Sequence, residues 1–125
     1  MTWIAIGLFG AVGALARYGV SGIVQLLWRT TFPIGTLVVN LTGAFAAGLL
    51  LGLVTGRDVP DMLVAAAGVG FLGGYSTFST WMVETVLTAE TGGRVGLRRA
   101  TQNLAVPLFA GVALAGIGFT IGQWF

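Results

Sequence analysis

Hydroxyls and aromatic rings alternate through Tyr75-Ser76-Thr77-Phe78-Ser79-Thr80-Trp81, and the chemistry on offer there is that of an anion path. An aromatic ring has a positive edge around a negative face, so its edge can meet an anion without any fixed cation. Such a path suits an ion that must leave as readily as it enters, whereas a buried Arg or Lys would hold it too tightly. Phe78, Trp81 and Glu84 follow at three-residue steps and are read as one helical face, with Ser79 and Thr80 between them. An aromatic stripe is ordinarily packing. A helix break expected immediately upstream weighs against packing here. Further back, Thr36 and Asn40 are four apart and share a face. In lipid, the Asn40 amide must find a partner, either a neighbouring helix or a permeating solute.

Two charges, Arg17 and Glu84, lie well inside apolar stretches. Intramembrane charges are costly and face the protein interior or a water-filled cavity. Structural pairing or snorkelling accounts for them as well as function does. The chain has no Cys and no His, which excludes disulfides, thiolate or imidazole metal sites and His-based catalysis. Gly68-Val69-Gly70-Phe71-Leu72-Gly73 matches G-x-G-x-x-G but lacks the strand and βαβ setting of a dinucleotide site. Six Arg against four acids give a net charge of +2, too little for a nucleic-acid footprint.

The elements that must position these residues are membrane helices. Of 125 residues, 56% are hydrophobic, 8% are charged and 21 are Gly. Soluble domains carry about 25% charge, and the mean hydropathy of +0.94 points the same way. About 20 apolar residues cross the hydrocarbon core, and the sequence divides into four spans, about 3–27, 33–54, 62–89 and 103–125. Together they form a single four-helix transmembrane domain. The first span has no charged leader region and is too long for a signal peptide, so it is expected to be a permanent helix. The third is expected to break near mid-membrane. Met62–Leu72 extends about 16 Å and Thr77–Ala89 about 20 Å at 1.5 Å per residue. Between them, Gly73-Gly74-Tyr75-Ser76 is poor helix material. Non-helical backbone at that depth is tolerated only in protein or along a polar cavity. Gly48, Gly52 and Gly56 form one small-residue stripe, and Gly118 and Gly122 another, as closely packed membrane helices require.

Three motifs then carry a resemblance. Gly13-Ala14-Leu15-Ala16-Arg17-Tyr18, Gly35-Thr36-Leu37-Val38-Val39-Asn40 and Gly70-Phe71-Leu72-Gly73-Gly74-Tyr75-Ser76-Thr77-Phe78-Ser79-Thr80 resemble the CrcB/Fluc fluoride channels, in family order and over the whole length. The resemblance implies a passive fluoride-exporting channel in a prokaryotic cell membrane, built as an antiparallel dimer with two pores. It implies a structural Na⁺ at the dimer centre, held by main-chain carbonyls that match Gly73 and Ser76. Permeation residues match Asn40, Phe78 and Trp81, with Thr36, Ser79 and Thr80 alongside. Arg17 matches the family's first-helix arginine and Glu84 a familiar acidic position. Trp81 departs from the usual Phe. Asn103, Pro107 and Gly111 stand where a hydroxyl track is expected on the fourth helix.

Those departures leave room for a partly degenerate subunit paired with an oppositely oriented paralogue. A small multidrug-type exporter is a weaker alternative, because its chemistry needs a carboxylate that the first span lacks. Charge placement bears on the pairing. Arg29, Arg94, Arg98 and Arg99 fall in the connections after the first and third spans, against Arg57 alone on the opposite side. By the positive-inside rule both termini lie outside.

Overall fold

The computed structural model covers Met1–Phe125. It is all-helical, and four passages are long and apolar enough to cross a membrane. They are α1 (Thr2–Trp28), α2 (Ile34–Val54), a broken passage Asp61–Thr91, and α6 (Gly93–Trp124). The protein is a multi-pass membrane protein. Its outer surface carries bare apolar side chains such as Leu8, Leu15, Val69 and Phe109, as lipid contact permits. Several helical hydroxyls are satisfied within their own helices: Thr42, Thr88 and Thr120 donate to the carbonyls of Val38, Glu84 and Gly116.

α1 stops at Arg29, whose φ of 24° lies in the left-handed region. The turn into α2 is stitched by Gln25. Its Nε2 donates to the carbonyls of Thr30 (2.8 Å) and Phe32 (3.3 Å), and its Oε1 accepts from Gly35 N–H. Pro33 then opens α2.

The broken passage comprises α3 (Asp61–Ala65), a π-helical stretch (Ala66–Leu72), α4 (Gly73–Tyr75) and α5 (Phe78–Thr91). The break overlaps the expected Gly73–Ser76 only at its last residue and runs one residue beyond it. Gly73, Gly74 and Tyr75 are helical, and the extended residues are Ser76 (φ −77°, ψ 159°) and Thr77 (φ −146°, ψ 122°). Of the glycine pair, Gly74 serves a different purpose. A Cβ on Gly74 would run into the carbonyl of Gly10, and one on Gly13 into that of Phe71. Gly74 is therefore there to seat α4 against α1. The widened turn at Ala66–Leu72 left no signature in the sequence beyond its glycines. Such bulges often mark functional sites.

α2 and α6 form the closest pair. Cβ atoms on Gly48 and Gly52 would strike the carbonyls of Ala115 and Phe119, and on Gly118 and Gly122 those of Phe45 and Leu49. The two expected stripes thus pack against each other. Gly56 does not take part, since it adopts φ +76° in the following turn with nothing beside it.

α6 starts ten residues before the expected span at 103. No proline lies between Gly93 and Pro107, and Gly96 is held within the helix against the end of α5, so Arg94, Arg98 and Arg99 continue the helix instead of forming a loop. Its 32 residues extend about 48 Å, against about 30 Å of hydrocarbon, so the arginine turns project beyond the core.

Candidate functional site

The backbone at Ser76 and Thr77 leaves the helix inside the membrane, where each unpaired peptide group would be costly. Side chains from other passages answer for it. Asn40 on α2 clasps the Thr77 peptide from both ends: its Nδ2 donates to Thr77 O and its Oδ1 accepts from Thr77 N–H, each at 2.9 Å. Arg17 on α1 donates from Nη1 to Ser76 O at 3.3 Å. Ser76 Oγ donates back to Leu72 O at 3.0 Å. Thr77 Oγ1 caps α5 by accepting from Thr80 N–H at 3.3 Å, the usual role of Thr before a first helical turn.

Because Thr77 N–H goes to Asn40, Gly73 O lacks its i+4 partner. An unpaired carbonyl of this kind, together with the lone pair that Arg17 leaves free on Ser76 O, is the hard oxygen donor that cations such as Ca²⁺ and Mg²⁺ prefer. Gly73 and Ser76 both line an open groove of about 580 Å³. Asn40, Thr77, Phe78 and Trp81 line the same groove, with Pro107 and Gly111 on its far wall. The rings of Phe78 and Trp81 meet edge to face, centroids 5.7 Å apart and planes at 87°. Phe78 remains 69% exposed, too much for a ring that merely packs within one chain. One Nδ2 hydrogen of Asn40 is left after the clasp, since the side chain has two and Thr77 O takes one.

The other expected residues lie elsewhere. Thr36 and Thr80 line a second groove, of about 720 Å³, beside Arg17. Thr36 Oγ1 donates to Glu84 Oε1 at 2.8 Å, and Glu84 Oε2 is buried without a partner. Glu84 does not share the face of the ring pair. At 100° per residue, six residues turn the helix to about 120° from its starting direction. Ser79 is exposed, with its Oγ 3.5 Å from Thr77 Oγ1, and lines none of these grooves.

Sequence reasoning passed over Thr77 and Thr85. Trp81 Nε1 donates to Asn103 O, Asn103 Nδ2 donates to Thr85 Oγ1 at 2.8 Å, and Thr85 Oγ1 donates to Trp81 O at 2.8 Å. These bonds tie α5 to α6 through Asn103, which is 1% exposed. The cap signal at Thr77, a Thr immediately before an apolar helix, was available. The Thr85 link was not, because it depends on how α5 and α6 are registered.

A four-pass helical membrane protein with a mid-membrane break, clasped by polar side chains and opening on an aromatic groove, has the features of an ion-conducting protein. Residues 4–119 match the family model described as "CrcB-like protein, Camphor Resistance (CrcB)", and the chain belongs to the CrcB family, a family of ion channels and not of enzymes. A relative from Mycolicibacterium paratuberculosis named fluoride-specific ion channel FluC 2 is 41% identical over 97% of this chain and 93% of its own. A FluC 2 from Moorella thermoacetica is 42% identical over 95% and 94%. A FluC 1 from Bacillus cereus is 31% identical over 99% and 89%.

Proposed function

We propose that this chain is the subunit of a fluoride channel that lets F⁻ leave the cell passively and so lowers cytoplasmic fluoride. The observation that carries the reading is the gathering of Asn40, Phe78 and Trp81 along one groove beside the break, in a chain whose relatives bear the name of fluoride channels. Asn40 directs its remaining amide hydrogen to the ion, and Phe78 offers a ring edge. The working unit is an antiparallel dimer, in which a second subunit covers Phe78 and completes the groove. Supporting the central Na⁺ is the chemistry of Gly73 O and Ser76 O. Two oxygens are too few to enclose a cation, so the dimer mate supplies the matching pair and brings the total to four carbonyls. Bound there, the ion would fix the two breaks against each other.

The test is fluoride efflux from liposomes carrying the purified chain, followed with a fluoride electrode. Efflux above that of protein-free liposomes supports the reading. Assembled protein without efflux, alone or with a co-expressed paralogue, sinks it. Efflux only with the paralogue would favour a second reading, a heterodimer of oppositely oriented chains. The lopsided arginine distribution supports that second reading, as do relatives whose names are numbered 1 and 2.

A further inference from the structure

Pro107 sits inside α6 and has no N–H, so the carbonyl four residues earlier loses its helical donor. That carbonyl belongs to Asn103, which is fully buried. The donor it receives instead is the indole Nε1–H of Trp81, from α5. Phenylalanine at position 81 could not supply it, and any residue but proline at 107 would not require it. The two departures from the family pattern are therefore one device. The indole also has only one N–H. With that hydrogen engaged by Asn103 O, the ring faces the groove with carbon-bound hydrogens alone.

We propose that Trp81 is a positioning residue, whose indole N–H replaces the amide missing at Pro107. It anchors the Phe78–Trp81 ring pair to α6 in a single pose and keeps a strong anion donor out of the groove. The closing circuit through Thr85 and Asn103 holds α5 at the register this bond needs. The effect on permeation rests on the fluoride-channel reading; the anchoring itself does not.

The experiment is a double-mutant cycle of Trp81→Phe and Pro107→Ala in the full chain. Dimer assembly is read by size exclusion, fluoride flux per assembled channel in liposomes, and anion selectivity by substituting chloride. Trp81→Phe alone strands the Asn103 carbonyl and is expected to lower flux per assembled channel by about tenfold or more. It should also weaken fluoride-over-chloride discrimination. Pro107→Ala alone is mild, because a carbonyl has two lone pairs and can accept from both Ala N–H and the indole. In the Pro107→Ala background, Trp81→Phe should cost little, since the new backbone N–H satisfies Asn103. Equal losses in both backgrounds would overturn the proposal, as would a harmless Trp81→Phe beside an intact Pro107. If Trp81→Phe fails to assemble, the double variant decides: restored assembly supports the anchor and continued failure refutes it. Assembly and slow exchange of the Trp81 indole hydrogen can be measured without fluoride. A wild-type chain with a protected indole but no fluoride flux would therefore sink the channel reading and leave the anchor standing.

Discussion

Both ends of the Asn40 amide are held by the peptide of Thr77, so this side chain is structural before it is anything else. Asn40→Ala leaves a buried N–H and a buried C=O unpaired at about 1–3 kcal/mol each. Thermal stability should fall along with fluoride flux. Phe78→Ile tests a different property. The Phe78 ring makes no hydrogen bond and is largely exposed in the single chain, and Ile keeps an apolar side chain where the second subunit covers it, so this variant should still assemble and lose most of its flux. Wild-type flux in assembled Phe78→Ile would remove the ring edge from the proposed path. Wild-type stability in Asn40→Ala would show that the clasp is not what holds the break. Comparing the two variants separates a residue that shapes the path from one that faces the ion.

At the scale of elements, the two adjacent glycines ahead of the break are not equivalent. A Cβ on Gly74 collides with the Gly10 backbone, whereas the nearest atom to one on Gly73 is Gly68 O at 3.9 Å. Gly74→Ala should therefore destabilise the folded chain by about 1–3 kcal/mol through overpacking, and Gly73→Ala should be close to neutral in a thermal melt. Equal effects at the two sites would mean that flexibility matters here more than contact. The contrast also marks what could be read in the sequence. Four spans, an interrupted third and the stripes at Gly48, Gly52, Gly118 and Gly122 were legible because apolar length and small-residue spacing are local properties. The position of the break was not. Glycine composition pointed to Gly73–Ser76, but the backbone departs where Asn40, distant in sequence, offers a substitute partner at Thr77. The extent of α6 was misjudged for a related reason: arginines mark the edge of the hydrocarbon, not the end of a helix. Removing the proposed ion tests the break at the same scale. Replacing Na⁺ with N-methyl-D-glucamine throughout purification should weaken dimer assembly, and unchanged assembly and flux would count against a cation held by Gly73 O and Ser76 O.

The whole molecule raises the question of orientation. Arg99 Nη1 reaches Thr31 Oγ1 at 3.3 Å, so the start of α6 and the α1–α2 turn lie at one end of the bundle. Arg29, Arg94, Arg98 and Arg99 all belong to that end. At the other, Arg57 turns back onto the carbonyls of Gly52 and Leu53 at the end of α2. Arg17 lies inside the bundle on Ser76 O and takes no part in the comparison. The longer α6 strengthens the bias, because it carries its arginines on a rigid helical extension beyond the hydrocarbon. Arginines near span ends set topology by staying in the cytoplasm, and on that ground we propose that Met1 and Phe125 lie outside. A chain that forms antiparallel dimers with itself must insert both ways with similar frequency, and a four-to-one split opposes that. The chain contains no cysteine, so a single one introduced as Gln123→Cys reports orientation without interference. With a membrane-impermeant maleimide, labelling in intact cells is expected to match labelling after permeabilisation, as for a chain inserted one way and paired with an oppositely oriented partner. Labelling that doubles on permeabilisation would establish dual insertion and return the channel to a homodimer.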